Sequence, residues 1–179
     1  MNASLAIHNL SPRAAEDPEQ MTAIAELVNR VFATEDKGLW RPGHTRTDVD
    51  QVGEMARLGE LVVAELEERL VGVIRVQQID DHTAYTSMLV THPDYRGQGL
   101  ARKLRQHVFE HLRSLGITTL RIDNIAPRNI DRQATAFMTD WNERAGYTVV
   151  GRVPFEEVHP EIAHMLLVEC DFILYEKAL

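Results

Sequence analysis

The segment LVTHPDYRGQGLA, residues 89–101, constrains the fold of this chain more than any other part of it. It closes a run, 84–91, that is rich in apolar and β-branched residues and reads as a strand. It opens a second run in which Leu100, Leu104, Val108, Leu112 and Leu115 recur at helical spacing until Gly116. Between the two lie His92-Pro93, which breaks the strand, and Gly97 and Gly99, which can adopt positive φ. A strand that runs through a glycine loop into an amphipathic helix is the building unit of an α/β layer structure.

The rest of the chain supports that class. Strands are expected over 5–10, 61–66, 70–78, 118–125, 147–153 and 171–177, with Glu67-Glu68-Arg69 as a hairpin connection. Pro18 opens a helical pattern carried by Met21, Ile24, Ala25, Leu27, Val28, Val31 and Phe32. Thr47 followed by Asp50 reads as the cap of a short second helix through Val52, Met55 and Ala56. A further helix is expected over 134–145, ended by Gly146. The order predicts a mixed central sheet of six to seven strands flanked by about four helices. No repeat or linker interrupts it, and 179 residues suit a single domain over 1–179.

Composition narrows the function. The chain is 44% hydrophobic and 26% charged, enough for a core. No apolar run approaches the ~20 residues of a membrane helix, and the first twenty residues lack a basic start followed by an apolar block, so a cytoplasmic protein with no membrane partner is expected. The single Cys170 excludes an intrachain disulfide and a multi-cysteine metal cage. A net charge of −8 disfavours general nucleic-acid binding. Residues 95–121 run against the trend, with six basic side chains and one acid. A basic island in an acidic chain points to one small anionic ligand.

The glycine loop suits that ligand. Gly97 and Gly99 admit close approach to the backbone, and the helix behind them presents free N–H groups and a positive dipole end. Arg96, Arg102 and Lys103 add full charges, and together they make a seat for a diphosphate. A dinucleotide fingerprint needs glycine or alanine where Arg102 stands, and the Gly-Lys-Ser/Thr ending of a P-loop is absent. The bland alternative is a glycine turn before an ordinary helix.

The run Arg96-Gly97-Gln98-Gly99-Leu100-Ala101 resembles the R/Q-x-x-G-x-G/A signature of the GNAT superfamily of N-acyltransferases, and the strand and His-Pro-x-Tyr turn before it are similar as well. The element order agrees over roughly 61–147. The resemblance implies a GNAT fold and an N-acetyltransferase that uses acetyl-CoA, or a longer acyl-CoA, as co-substrate and no metal. It implies that Arg96, Gly97, Gln98, Gly99, Leu100, Ala101 and Arg102 hold the diphosphate, and that the pantetheine pairs along Met88, Leu89 and Val90. It also allows a homodimer. The expected reaction is direct attack of a primary amine of a small molecule on the thioester. A protein lysine or N-terminus as acceptor, and a non-catalytic acyl-CoA-binding module, stay open as alternatives.

For the chemistry, the family implies a backbone donor near Leu89 for the oxyanion and a tyrosine four residues before the glycine of a Gly-Phe/Tyr pair. Here that pair is Gly146-Tyr147, and Asn142 stands in the tyrosine's place; it can donate to sulfur but cannot supply a proton. Tyr85 is a second candidate acid. Asp123 and Glu65 are candidate bases, and Asn124 can polarise a water. The acceptor is expected near 38–46, where Trp40 offers an apolar wall and Arg46 and Arg41 a partner for a carboxylate or phosphate, with Glu156, Glu157 and Glu161 as attractants for a cation. One motif points elsewhere. His107-Val108-Phe109-Glu110-His111 matches the inverted zinc-protease pattern, but it lies on the helix behind the loop and lacks an evident third ligand.

Overall fold

The computed structural model describes residues 4–130 and 132–179, so residues 1–3 and Asp131 of the expected 1–179 domain lie outside the described residues. Seven strands form one sheet: β1 (Leu5–Asn9), β2 (Leu61–Leu66), β3 (Arg69–Gln78), β4 (Thr83–Thr91), β5 (Thr119–Pro127), β6 (Thr148–Pro154) and β7 (Cys170–Ala178). Their spatial order is β1-β2-β3-β4-β5-β7-β6, antiparallel except for β4 beside β5. The helices are α1 (Pro18–Glu35), α2 (Val49–Arg57), α3 (Leu100–Ser114), α4 (Gln133–Arg144) and the single turn α5 (Phe155–Val158). No helix among the described residues is long and apolar enough to cross a membrane.

The sheet separates two cores. On one face Met21, Ile24, Leu27 and Val28 of α1 and Val52 and Ala56 of α2 pack on Val63, Val73, Met88 and Val90. On the other face Leu100, Leu104, Val108 and Leu112, the stripe read from the sequence, pack on Val62, Val71, Ile74, Ala84 and Leu120. Leu104 is fully buried, and removing such a side chain from water contributes about 1.5–3 kcal/mol. A third cluster, with Leu39, Phe155, Cys170 and Phe172 at its centre and Trp40 against it, joins the loop after α1 to the C-terminal segment.

Two local details differ from the sequence reading. The cap of α2 is Asp48, whose Oδ1 accepts the Gln51 N–H at 2.8 Å. Thr47 is buried instead, with its N–H and C=O both held by the Asn29 side chain. The β2–β3 hairpin turns on Glu67 and Glu68, with φ of 50° and 64°. That left-handed pair is the geometry Asn-Gly prefers, and it costs an ordinary L-residue roughly 1–2 kcal/mol each. Glu67→Asn with Glu68→Gly is expected to raise the melting temperature by several degrees, as a thermal melt will show.

Candidate active site

The site is built where β4 and β5 part. They pair only from Thr83↔Thr119 to Tyr85↔Arg121, so beyond Tyr85 the β5-facing edge of β4 is open. On its other edge β4 carries a bulge: Val73 faces Val90 and Arg75 faces Ser87, leaving two residues opposite Ile74. Met88 sits in this bulge at φ 53°, a left-handed conformation unusual for methionine. The bulge reverses the side-chain alternation. Ala84 belongs to the core under α3, whereas Met88 and Val90 belong to the core under α1.

A cavity of about 670 Å³ runs through the gap. At one mouth stand Arg96, Gly97, Gly99, Leu100, Ala101 and Arg102. Gly97 and Gly99 have φ of 81° and 73°, and a Cβ on Gly97 would meet nothing within 4 Å. The first amides of α3 have no intrahelical partner, and Lys103 N–H is the first to reach one, on Gly99 C=O at 3.0 Å. Arg96 is exposed and paired with Glu35 at the end of α1, 2.9 Å away. Gln98 lies outside the lining, its N–H turned back to Tyr95 C=O at 3.3 Å. Met88, Leu89 and Val90 line the wall along the open edge of β4.

Deeper in, Asp123 of β5 lines the cavity, and Tyr85 donates its hydroxyl hydrogen to Asp123 Oδ2 at 2.8 Å. Burial raises the Asp123 pKa against the opposing pull of the Tyr85 hydrogen bond and the Arg46 charge. Burial, then the Asp123 carboxylate, pushes the Tyr85 phenol well above its ordinary range, so it stays a donor. Arg46 also lines the cavity, its guanidinium 4.8 Å over the Phe32 ring. Asp36, which no sequence motif singles out, also lines the cavity. Burial raises its pKa while the Trp40 indole N–H, donated at 3.2 Å, opposes the shift.

Asn142 is fully buried on α4 and lines the cavity beside Arg105 and Trp141. The Nδ2 atoms of Asn142 and Asn124 are both buried without a partner among the described residues. Both residues line the cavity, and a buried amide donor without a partner is a group still to be satisfied.

Other candidates lie elsewhere. Trp40 stacks on His44 at 3.7 Å and meets Phe155 edge-on at 5.5 Å, outside the cavity lining. Arg41 Nε donates to His164 C=O at 3.1 Å. Glu65 pairs within the β1–β2–β3 ladder, away from the cavity. Glu156 is gripped by Arg128 at 2.7 Å, and Glu161 lies 3.3 Å from His159. Glu157 is exposed. His111 engages the Asn9 amide at 3.0 Å. Among the described residues no group of three or more His, Cys, Asp or Glu side chains is placed to hold a metal ion.

The profile of the acetyltransferase (GNAT) family matches residues 23–158. The chain belongs to this family. It is therefore an acyl-CoA-dependent GNAT acetyltransferase, and the mixed sheet with its flanking helices is the GNAT fold. Solved structures carry the same fold. An acetyltransferase from Streptococcus agalactiae is 21% identical, with 98% of each chain covered and a TM-score of 0.67. PaiA N-acetyltransferase from Thermoplasma acidophilum, in complex with coenzyme A, is 15% identical, with 98% of this chain and 99% of that one covered and a TM-score of 0.68. The yncA protein of Salmonella typhimurium, with its cofactor acetyl-CoA, is 17% identical, with 98% and 94% covered and a TM-score of 0.65. No curated protein matches the GNAT chain significantly.

Proposed function

We propose that this protein, acting as one domain over 1–179 in a reducing cytoplasm, transfers an acetyl group from acetyl-CoA to the primary amine of a small molecule. The observation that carries the reading is the cleft through the β4–β5 gap, with the glycine loop at its mouth and Asp123 in its inner lining, held from behind by Tyr85, which lies outside the lining. Acetyl-CoA would supply an acetyl thioester, already activated toward nucleophiles. The loop amides and Arg102 would hold its diphosphate, and the open edge of β4 at Met88–Val90 would pair with its pantetheine amides. The N–H of Leu89 would be aimed at the thioester oxygen.

An alkylamine has a pKa near ~10 and must lose a proton before or during attack. Asp123, raised by burial and aligned by Tyr85, takes that proton. Asp36 favours the incoming cation at the same end. Arg46 favours an acceptor that carries a carboxylate or phosphate beside its amine.

The test is a thiol-release assay with acetyl-CoA against a panel of small amines with and without an acidic group, beside a basic peptide. Turnover with small amines, best with those bearing an acid, is the expected result. Turnover with the peptide alone would move the reading to a protein acceptor. No turnover despite tight acetyl-CoA binding would support a binding module instead.

A further inference from the structure

Arg105 is a buried cation with no carboxylate partner among the described residues. It is 7% exposed, and Tyr147 is the only neighbour among the described residues that raises its pKa against the burial that lowers it to about 10. At neutral pH it therefore keeps its charge. Its Nη2 donates to Asn142 Oδ1, and its guanidinium lies 3.5 Å over the Trp141 ring and 5.2 Å from the centre of Tyr147. A desolvated cation of this kind ordinarily has an anion beside it. Asn142 spends its carbonyl on Arg105 and leaves its own Nδ2 without a partner. Both residues line the cleft. The arrangement is a positive, donor-rich corner with no anion of its own among the described residues.

Its position follows from the strands. Successive residues of β4 face opposite sides of the sheet. At the last paired position Tyr85 reaches Asp123, whereas the next residue, Thr86, lies beside Tyr147, whose ring is 5.2 Å from the Arg105 guanidinium. Both pairs meet where β4 and β5 join, at the closed end of the gap. An extended ligand that enters by the glycine loop ends there. Its terminus then has Asp123 on one side of the sheet and Arg105 on the other.

Resting on the proposed reaction, we infer that Arg105, positioned by Asn142, receives the negative charge of the departing CoA sulfur. Asp123 takes one proton from the ammonium and passes it to water, the freed lone pair forms the C–N bond, and the second proton, shed by the newly acylated nitrogen, leaves by the same route. The C–S bond breaks with its electron pair on sulfur. CoA leaves as a thiolate beside the guanidinium, and no protein acid is required. Asn142, which cannot give a proton, is thus suited to its place.

The test reads the thiol directly. Reduced CoA is titrated with pH in complex with the protein, and thiolate is followed by its ultraviolet absorbance. The bound thiol pKa is expected at least about one unit below that of free CoA, as an adjacent arginine lowers a thiol. Arg105→Met is expected to abolish the shift, Arg105→Lys to retain part of it, and both to bind protonated CoA within about threefold of wild type. If Arg105→Met does not fold, Asn142→Ala replaces it, with the shift expected to shrink. An ordinary thiol pKa in the wild-type complex overturns the inference alone, as does a shift that survives these substitutions. Loss of CoA affinity in Arg105→Met with the thiol shift intact would assign Arg105 to the pantetheine or diphosphate instead. No CoA binding by the wild type overturns the proposed function together with the inference.

Discussion

Asp123→Asn is expected to lower kcat with a good amine acceptor at least about 100-fold, the usual contribution of a positioned base, without lowering the melting temperature. The amide keeps the shape and still accepts the Tyr85 hydrogen, but it takes no proton. The stability half of the expectation follows from the raised Asp123 pKa, which reflects burial of the carboxylate. A carboxyl whose folded-state pKa is raised favours the fold while protonated, and that contribution is lost as pH rises from the ordinary value through the raised one. At neutral pH the buried charge opposes the fold, so its removal is neutral or stabilising. Asp36 carries the same sign. Activity runs the other way: kcat/KM rises with pH as Asp123 and the amine lose their protons. Tyr85→Phe removes a hydrogen bond that favours the Asp123 carboxylate, so the acidic limb of the profile is expected to move to higher pH with at most about a tenfold loss of rate. Steady-state kinetics against pH, with a thermal melt of each variant, check both halves. An undiminished kcat in Asp123→Asn would remove Asp123 from the chemistry.

The second large effect is expected at the loop. Gly97 and Gly99 hold φ of 81° and 73°, where a β-branched residue is a genuine outlier. The double variant Gly97→Val, Gly99→Val must either strain this turn by roughly 1–2 kcal/mol per residue or re-aim the first amides of α3. Each hydrogen bond to a charged group contributes about 1.5–3 kcal/mol, so losing one or two weakens acetyl-CoA binding by about 100-fold. Arg96→Glu is the milder comparison. Arg96 is exposed and already shared with Glu35, so its reversal is expected to cost less than about tenfold. Calorimetric titration of the three proteins with acetyl-CoA reads both effects. Equal affinities would mean that the diphosphate does not sit on this loop.

What was legible in the sequence is what local chemistry determines. The apolar stripe of α3, the positive-φ glycines and the apolar, β-branched run of β4 are properties of neighbours in the chain, and each element appears within a few residues of its expected bounds. Asp123 is singled out by its place near a strand end and Asn142 only by the family resemblance; both line the cleft. The partnership of Tyr85 with Asp123 spans two strands, and their pairing register is not written in either one. Arg105 flanks the apolar stripe and looks like an ordinary surface arginine; only the approach of α4 and Tyr147 buries it. Asp36 is masked in the same way, by the indole of Trp40. Trp40 itself was read as a wall of the acceptor pocket, whereas its ring is taken up by His44 and Phe155. A large aromatic in a loop signals burial, but not which cavity it faces.

The most direct measurement is the calorimetric titration of the wild-type protein with acetyl-CoA. The cleft predicts one site per chain with micromolar affinity, weakened as salt is added because a charged diphosphate is held by amides and arginines. Heat that saturates at one equivalent, and is lost when Gly97 and Gly99 become valine, is the predicted result. A protein that binds neither acetyl-CoA nor a longer acyl-CoA would contradict the account, because the cleft, the loop and the open strand edge would then have no common ligand.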